Sequence, residues 1–410
     1  MVRQSNQVTG QRIIYSRREF IAGSVATATF TIIKASTLRG TEAHSRIEVG
    51  CIGLGGRGAW IAKHLKSHPG YKITSVADYF SEVAQKVGQE LGVDEKRRFW
   101  GLSGYKKLIA SGVDAVFCET PPYCFPEHVT AAVNAGCHVF IAKPLGCDVP
   151  GCLQIAKMAK QATANKKVFL VDFQTRTDPY YIEAIKRVHN GDIDQVAMLN
   201  VRCASDGFPD PPKTQNIESR LRRLIWVNDV NLGGGLIVNY DIHAMDVALW
   251  IAKAKPVSAM GSARVAKADA HGDSMRLYSL TYQFPNGLIL NHQSEHLRNV
   301  NSYISCFAYG NSGFLETNYG GKVWIRGNKK PYRGGETANL YGLGMQRNVE
   351  TFYRSVINRV YDNPTVEPSV NATLATILGR EAARKNTIIT WDEMLKENKR
   401  LQVDLTGLKA

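Results

Sequence analysis

Residues 46–58 read Arg46-Ile47-Glu48-Val49-Gly50-Cys51-Ile52-Gly53-Leu54-Gly55-Gly56-Arg57-Gly58. The β-branched residues Ile47, Val49 and Ile52 predict a short strand. It runs straight into G-x-G-x-x-G, made by Gly53, Gly55 and Gly58, and a helical pattern follows through Leu65. Each glycine answers a steric need. Gly53 makes the tight turn, Gly55 lets backbone approach a pyrophosphate, and Gly58 lets the helix pack close to the strand. Phosphates then meet free N–H groups at the positive end of the helix dipole. A second strand, Ile73–Ala77, leads to Asp78, 20 residues beyond Gly58. A carboxylate there accepts from a ribose 2′-hydroxyl. These residues predict a dinucleotide site with Gly53, Gly55, Arg57, Gly58 and Asp78 as binding candidates. No Arg or Lys follows at 79–82 to offset Asp78 against a 2′-phosphate. NAD is therefore expected, and NADP disfavoured.

The alternation continues outward from this point. Helices expected at Ala59–Ser67 and Phe80–Leu91 alternate with strands at Ile73–Ala77, Ala115–Glu119 and His138–Ile141, which predicts right-handed crossovers and a parallel sheet. The fourth strand leads to Thr120-Pro121-Pro122 and the fifth to Ala142-Lys143-Pro144. Ligands of open α/β sheets bind at this carboxyl edge, so Thr120, Pro121 and Lys143 join the cofactor candidates. From the residues alone, Lys143 reads more readily as a surface lysine.

Beyond Val168–Asp172 the texture changes. Asp178, Pro179 and Gly191 mark the cap, first turn and end of a helix. Strand-like runs follow at Val196–Arg202, Met275–Phe284, Leu288–Ser294 and Tyr303–Tyr309, with Phe284-Pro285-Asn286-Gly287 as a hairpin turn. Later helices are expected at Asn348–Val360 and Ala372–Arg384. The fold class is α/β. A Rossmann dinucleotide-binding domain over 46–172 precedes an α+β domain over 173–410 with a large, mostly antiparallel open sheet.

The glycine loop, the Thr120-Pro121-Pro122 loop, Ala135–Gly146 and Gly233–Ile251 together resemble the Gfo/Idh/MocA family of nicotinamide-dependent sugar and cyclitol oxidoreductases. The resemblance runs from about Arg46 to Trp391. The family's Glu-Lys-Pro stands here as Ala142-Lys143-Pro144, so the lysine is kept and the glutamate is missing. The resemblance implies that Lys143 binds the reacting oxygen beside the nicotinamide. It also implies that His243 faces the substrate from a helix start. Asn239 takes the place of the family's acid, and Asp241 stands where glycine is common. Lys143 and His243 are thus the catalytic candidates. Histidine is a natural base for oxidising an alcohol because it titrates near neutral pH. Arg176, Asn239 and Asp241 are candidates for substrate hydrogen bonds. Asp246, one turn beyond His243, reads as orienting it or capping the helix. In the family the open sheet commonly makes oligomers, so a homo-oligomer is expected.

Composition sets outer bounds. The chain has 410 residues, 44% hydrophobic and 21% charged, enough to bury a large core. Its net charge is +15. It has no dense basic run with interleaved aromatics, so nucleic-acid partners are not expected. In residues 1–45, Ser16-Arg17-Arg18-Glu19-Phe20-Ile21 resembles a twin-arginine export signal. Phe20–Ile33 is too short and too polar for a stable membrane span. A periplasmic location follows, with an uncleaved anchor as the alternative. An exported enzyme lacks a cytoplasmic cofactor pool, so NAD is expected to be tightly held. His292-Gln293-Ser294-Glu295-His296 fits H-x-x-E-H, but it follows a turn and a strand rather than lying on a helix, so no metal is expected. Three functions remain open: a sugar or cyclitol oxidoreductase, an NAD-dependent glycoside hydrolase working by transient oxidation and elimination, and a non-catalytic dinucleotide- or sugar-binding module.

Overall fold

In the computed structural model, which describes residues 46–265, 271–327 and 330–410, the opening stretch is a central strand. That strand, β1 (Ile47–Ile52), has four of its six residues buried in succession at its carboxyl end. Around it stand β2 (Tyr71–Asp78), β3 (Arg98–Trp100), β4 (Ala115–Cys118), β5 (His138–Ala142) and β6 (Phe169–Asp172), in the order β3-β2-β1-β4-β5-β6. Every pairing in this sheet is parallel. Parallel strands with helices on both faces are apolar throughout, and β4 and β6 are buried end to end. Phe117 of β4 stacks on Phe140 of β5 at 4.5 Å between ring centroids.

A second sheet has nine strands. They are β7 (Val196–Ala204), β8 (Ser258–Arg264), β9 (Leu277–Gln283), β10 (Ile289–Glu295), β11 (Tyr303–Gly310), β12 (Gly313–Asn318), β13 (Lys322–Gly327), β14 (Tyr332–Glu336) and β15 (Ile389–Thr390). Their order is β14-β13-β12-β11-β7-β10-β9-β8-β15. Among the described residues, only β7 and β10 pair in parallel in this sheet. Side chains alternate with period two: Leu199, Val201 and Cys203 are buried, while Met198, Asn200 and Arg202 are not. The buried face packs on the helices Ile242–Ala252 and Val366–Lys385. The opposite face carries Phe307, Tyr309, Phe314 and Trp324.

The expected elements appear with small boundary shifts. Asp178 caps the helix Pro179–His189 by accepting from the Tyr180 and Tyr181 N–H groups, and Gly287 closes the β9–β10 turn at φ +79°. Two helices begin earlier than the hydrophobic spacing indicated. Leu340–Ile357 is capped by Asn339, and glycines in its first turns hide the periodicity. Gly344 is one of these, since a Cβ there would lie 2.4 Å from Gln174 Cβ. The helix Val366–Lys385 has Pro368 in its first turn, where no intrahelical N–H bond is lost. Among the described residues, no helix is long and apolar enough to cross a membrane. The expected export signal falls in residues 1–45, outside the described residues.

Candidate functional site

The glycine loop has the shape a pyrophosphate needs. Gly53 adopts φ +85°, and its N–H bonds the Ala77 carbonyl at 2.8 Å. A Cβ on Gly58 would lie 1.8 Å from the Gly53 carbonyl oxygen, so no larger residue fits. Gly55 and Gly56 differ, because a Cβ on either would meet no protein atom within 4 Å. The helix Gly56–Ser67 starts there with no side-chain cap, which leaves its first N–H groups turned to open space. Asp78 lies at the neighbouring strand end. Its carboxylate accepts from the Leu54 N–H at 2.7 Å and the Phe80 N–H at 2.9 Å. Burial raises its pKa, and those two bonds oppose the rise. Glycine loop, Asp78, Thr120 and Pro121 all line one cavity of about 780 Å³. These residues fit a dinucleotide.

Arg57 does something the motif did not indicate. Its guanidinium turns inward to Asp172 and to Glu119, with Nε 3.2 Å from the latter. It also lies over the Tyr341 ring at 4.7 Å. Lys143 stands beside this group. The Lys143–Pro144 peptide is cis, and Nζ donates to the Asn239 carbonyl at 2.7 Å. Burial pushes the lysine down to about 7; Arg57 adds to the drop, while Asp172 and Glu119 oppose it. Glu119 is pushed up to about 7, mainly by burial. The glutamate absent at 142 therefore has local substitutes. Asp172 is the register partner of Ala142 across β5 and β6, and Asn348 Nδ2 donates to it at 2.6 Å.

His243 lies in the first turn of the helix Ile242–Ala252, with its ring 4.8 Å from Tyr319 and 6.2 Å from Phe173. Tyr319 is fixed in turn, its hydroxyl donating to Gln174 Oε1 at 3.0 Å. Burial holds the imidazole well below its ordinary pKa, and the Lys143 and Arg57 charges add to that. His243 Nδ1 and Asn239 Nδ2 are both buried without a hydrogen-bond partner among the described residues.

Two substrate candidates have other duties. Arg176 gives Nε and Nη2 to Asp246 at 2.8 and 2.9 Å and stacks on Trp250. Asp246 therefore neither orients His243 nor caps its helix. Asp241 is fully buried at the helix start and is gripped by His292 Nε2 and His296 Nε2, each 3.0 Å away. Burial pushes its carboxyl up, but the two histidines outweigh that and hold it low. Strand β10 leads His292 and His296 to Asp241, which explains the H-x-x-E-H spacing without a zinc-protease helix. Cys203 Sγ lies within 4.8 Å of the Asp241 and His292 ligand atoms. Asp241 has a hydrogen bond on each oxygen, while His292 Nδ1 is buried without a partner among the described residues. Sequence reasoning missed Glu119, Asp172 and Tyr319. The first two sit at strand carboxyl ends, where an acid is a usable signal; nothing local marks Tyr319.

Residues 47–173 match the model of an oxidoreductase family with an NAD-binding Rossmann fold, and residues 181–316 match the GFO/IDH/MocA C-terminal domain. The chain belongs to the Gfo/Idh/MocA family. Its first sheet is an NAD-binding Rossmann domain, and NAD is its nucleotide. Among curated relatives is the scyllo-inositol 2-dehydrogenase (NAD⁺) of Bacillus subtilis, 27% identical over 54% of this chain and 58% of its own. Another is the 2,7-anhydro-N-acetylneuraminate hydratase of Escherichia coli, 25% identical over 59% of each chain. The chain thus spans less than two thirds of the length of these relatives. The myo-inositol 2-dehydrogenase structure from Lactobacillus plantarum superposes with a TM-score of 0.67, at 22% identity, over 84% of this chain and 99% of that one. That likeness speaks for the fold.

Proposed function

We propose that this protein is an NAD-dependent oxidoreductase that moves a hydride between nicotinamide and a hydroxyl-bearing carbon of a sugar, cyclitol or derivative. One observation carries the reading. Lys143 Nζ donates to the Asn239 carbonyl at 2.7 Å and its charge acts on His243, while two buried polar atoms of these neighbours, His243 Nδ1 and Asn239 Nδ2, have no partner among the described residues. Buried polar atoms are seldom left unpaired, and a substrate hydroxyl satisfies them. Bound NAD supplies the hydride acceptor.

The residues divide the remaining work. Lys143, neutral above about pH 7, takes the hydroxyl proton on Nζ. Neutral His243 bonds the same oxygen or its neighbour through Nδ1 and fixes which carbon faces the cofactor. This modifies the expectation that His243 itself is the base. Burial makes imidazolium unfavourable, the Arg57 charge and Lys143 when protonated add to this, and Asn239 brings no negative charge to offset them. Asp241 holds the helix start that presents His243. Assaying NADH formation at 340 nm across cyclitols, free sugars and glycosides tests the reading; no NADH and no product from any of them overturns it.

The relative named as a hydratase favours a second reading, in which oxidation is transient and a glycosidic bond breaks by elimination. Free aglycone without net NADH identifies it. We further propose export through the twin-arginine-like segment, tested by Arg17→Lys with Arg18→Lys and cell fractionation. The aromatic outer face of the nine-stranded sheet supports a homo-oligomer, measured by light scattering.

A further inference from the structure

The nucleotide cavity has an outer wall that the glycine motif does not account for. Leu221, Arg222, Trp226, Leu405 and Leu408 line it together with Tyr79 and Phe80. The C-terminal segment crosses the carboxyl edge of the parallel sheet. At one end, the Leu401 N–H donates to Asp148 Oδ2 at 2.8 Å, in the loop after β5. At the other, the Lys409 N–H donates to the Tyr79 hydroxyl at 3.1 Å, and its carbonyl accepts from the Leu102 N–H at 3.0 Å, in the loops after β2 and β3. Given the strand order, the segment passes over the ends of β4, β1 and β2, where the pyrophosphate and ribose bind. Gly101 permits the close approach, since a Cβ there would lie 2.2 Å from the Ala410 oxygen.

A second arm meets the same rim. Arg222 lies over the Phe80 ring at 3.7 Å and pairs with Glu82 at 2.7 Å, while the Tyr79 hydroxyl donates to Glu218 at 2.9 Å. Leu405 remains 38% exposed, although both ends of its segment are bonded down. An apolar side chain pinned at a cavity wall this way is placed to cover a flat apolar group.

We propose that Leu401–Ala410, backed by Leu221–Trp226, forms the adenosine-binding wall of the cofactor site and must swing away before NAD exchanges. The inference rests on the NAD reading of the same cleft. The wall makes the nucleotide slow to leave. Arg222 sits beside Asp78 with its charge already paired to Glu82, which leaves the preference for a 2′-hydroxyl intact.

The test compares the full chain with a variant ending at Val403 and with the double variant Leu405→Ser, Leu408→Ser, which keeps the backbone bonds and guards against misfolding of the shortened chain. NADH release is followed by fluorescence during displacement with excess NAD, and nucleotide content is measured after gel filtration. Removing the leucine contacts speeds release on the order of tenfold and lowers the nucleotide retained. Equal release rates in all three proteins overturn the proposal. If the full chain binds no NADH, the cofactor reading falls, and this proposal with it.

Discussion

The glycine loop and the Lys143–His243 region occupy the same edge of one sheet, yet they are built on different logic. In the loop, function is carried by backbone. Gly53 turns, Gly58 leaves no room for a side chain, and Gly55 and Gly56 face open space. In the proposed catalytic region, the chemistry is set by neighbours. Lys143 is reset by burial and by Arg57, Asp172 and Glu119, which arrive from three places in the chain. The difference teaches where sequence is sufficient. A backbone constraint is written at one position, whereas a tuned pKa is written across many.

Substitutions should separate the two regions. Gly58→Val carries the largest effect: it drives side-chain atoms into the Gly53 carbonyl and should abolish NAD binding by calorimetry, at any substrate concentration. Normal binding would show that the loop tolerates what its geometry excludes. Lys143→Ala should lower turnover on the order of 10²-fold or more, the scale of general acid–base catalysis, while leaving NAD affinity near wild type. A parallel loss of NAD affinity would merge the two regions. His243→Ala should also lose on the order of 10²-fold, again with NAD bound. Near-normal turnover there would remove His243 from the reaction.

Smaller effects sharpen the contrast. Asp78→Ala should reduce the preference for NAD over NADP on the order of tenfold, by losing the ribose contact and the repulsion of a 2′-phosphate. Tighter NADP than NAD binding by the wild type would contradict the assignment. Asp241→Asn, away from the cofactor, should lower the melting temperature by on the order of 5 °C, because an amide cannot accept from both histidines. An unchanged melting temperature would mean that the His292–Asp241–His296 contacts contribute little.

Most of the parallel sheet was legible because its strands are short apolar runs ending in a marked loop: Gly53 after β1, Asp78 closing β2, Thr120-Pro121 after β4 and Lys143 after β5; β3, Arg98-Phe99-Trp100, is short and not buried, and nothing local marks it. The antiparallel sheet was legible as a class, from Phe284–Gly287 and the alternating runs around it. Its strand order was not, since nothing local says that β7 should lie between β10 and β11. The site residues Lys143 and His243 were visible through family motifs. Their partners were not: Glu119, Asp172 and Tyr319 act only through contacts closed by the fold. Arg176 and Asp241 mislead for the same reason. Both sit near substrate-type motifs, and only the structure shows the partners, Asp246 and the two histidines, that claim them.

The central claim is that Lys143 is the proton-transfer group, tuned to neutrality by its burial. The direct measurement is the pH dependence of NAD reduction under single-turnover conditions, on a substrate accepted in the 340 nm screen, for wild type, Lys143→Ala and Glu119→Gln. The amine must be deprotonated to take the hydroxyl proton, so the wild-type rate should rise through about pH 7 and then level off. Glu119→Gln should keep an inflection but move it to lower pH, because the Glu119 charge raises the lysine's value. Lys143→Ala should lose the inflection along with the rate. The same inflection in Lys143→Ala as in wild type would contradict the account.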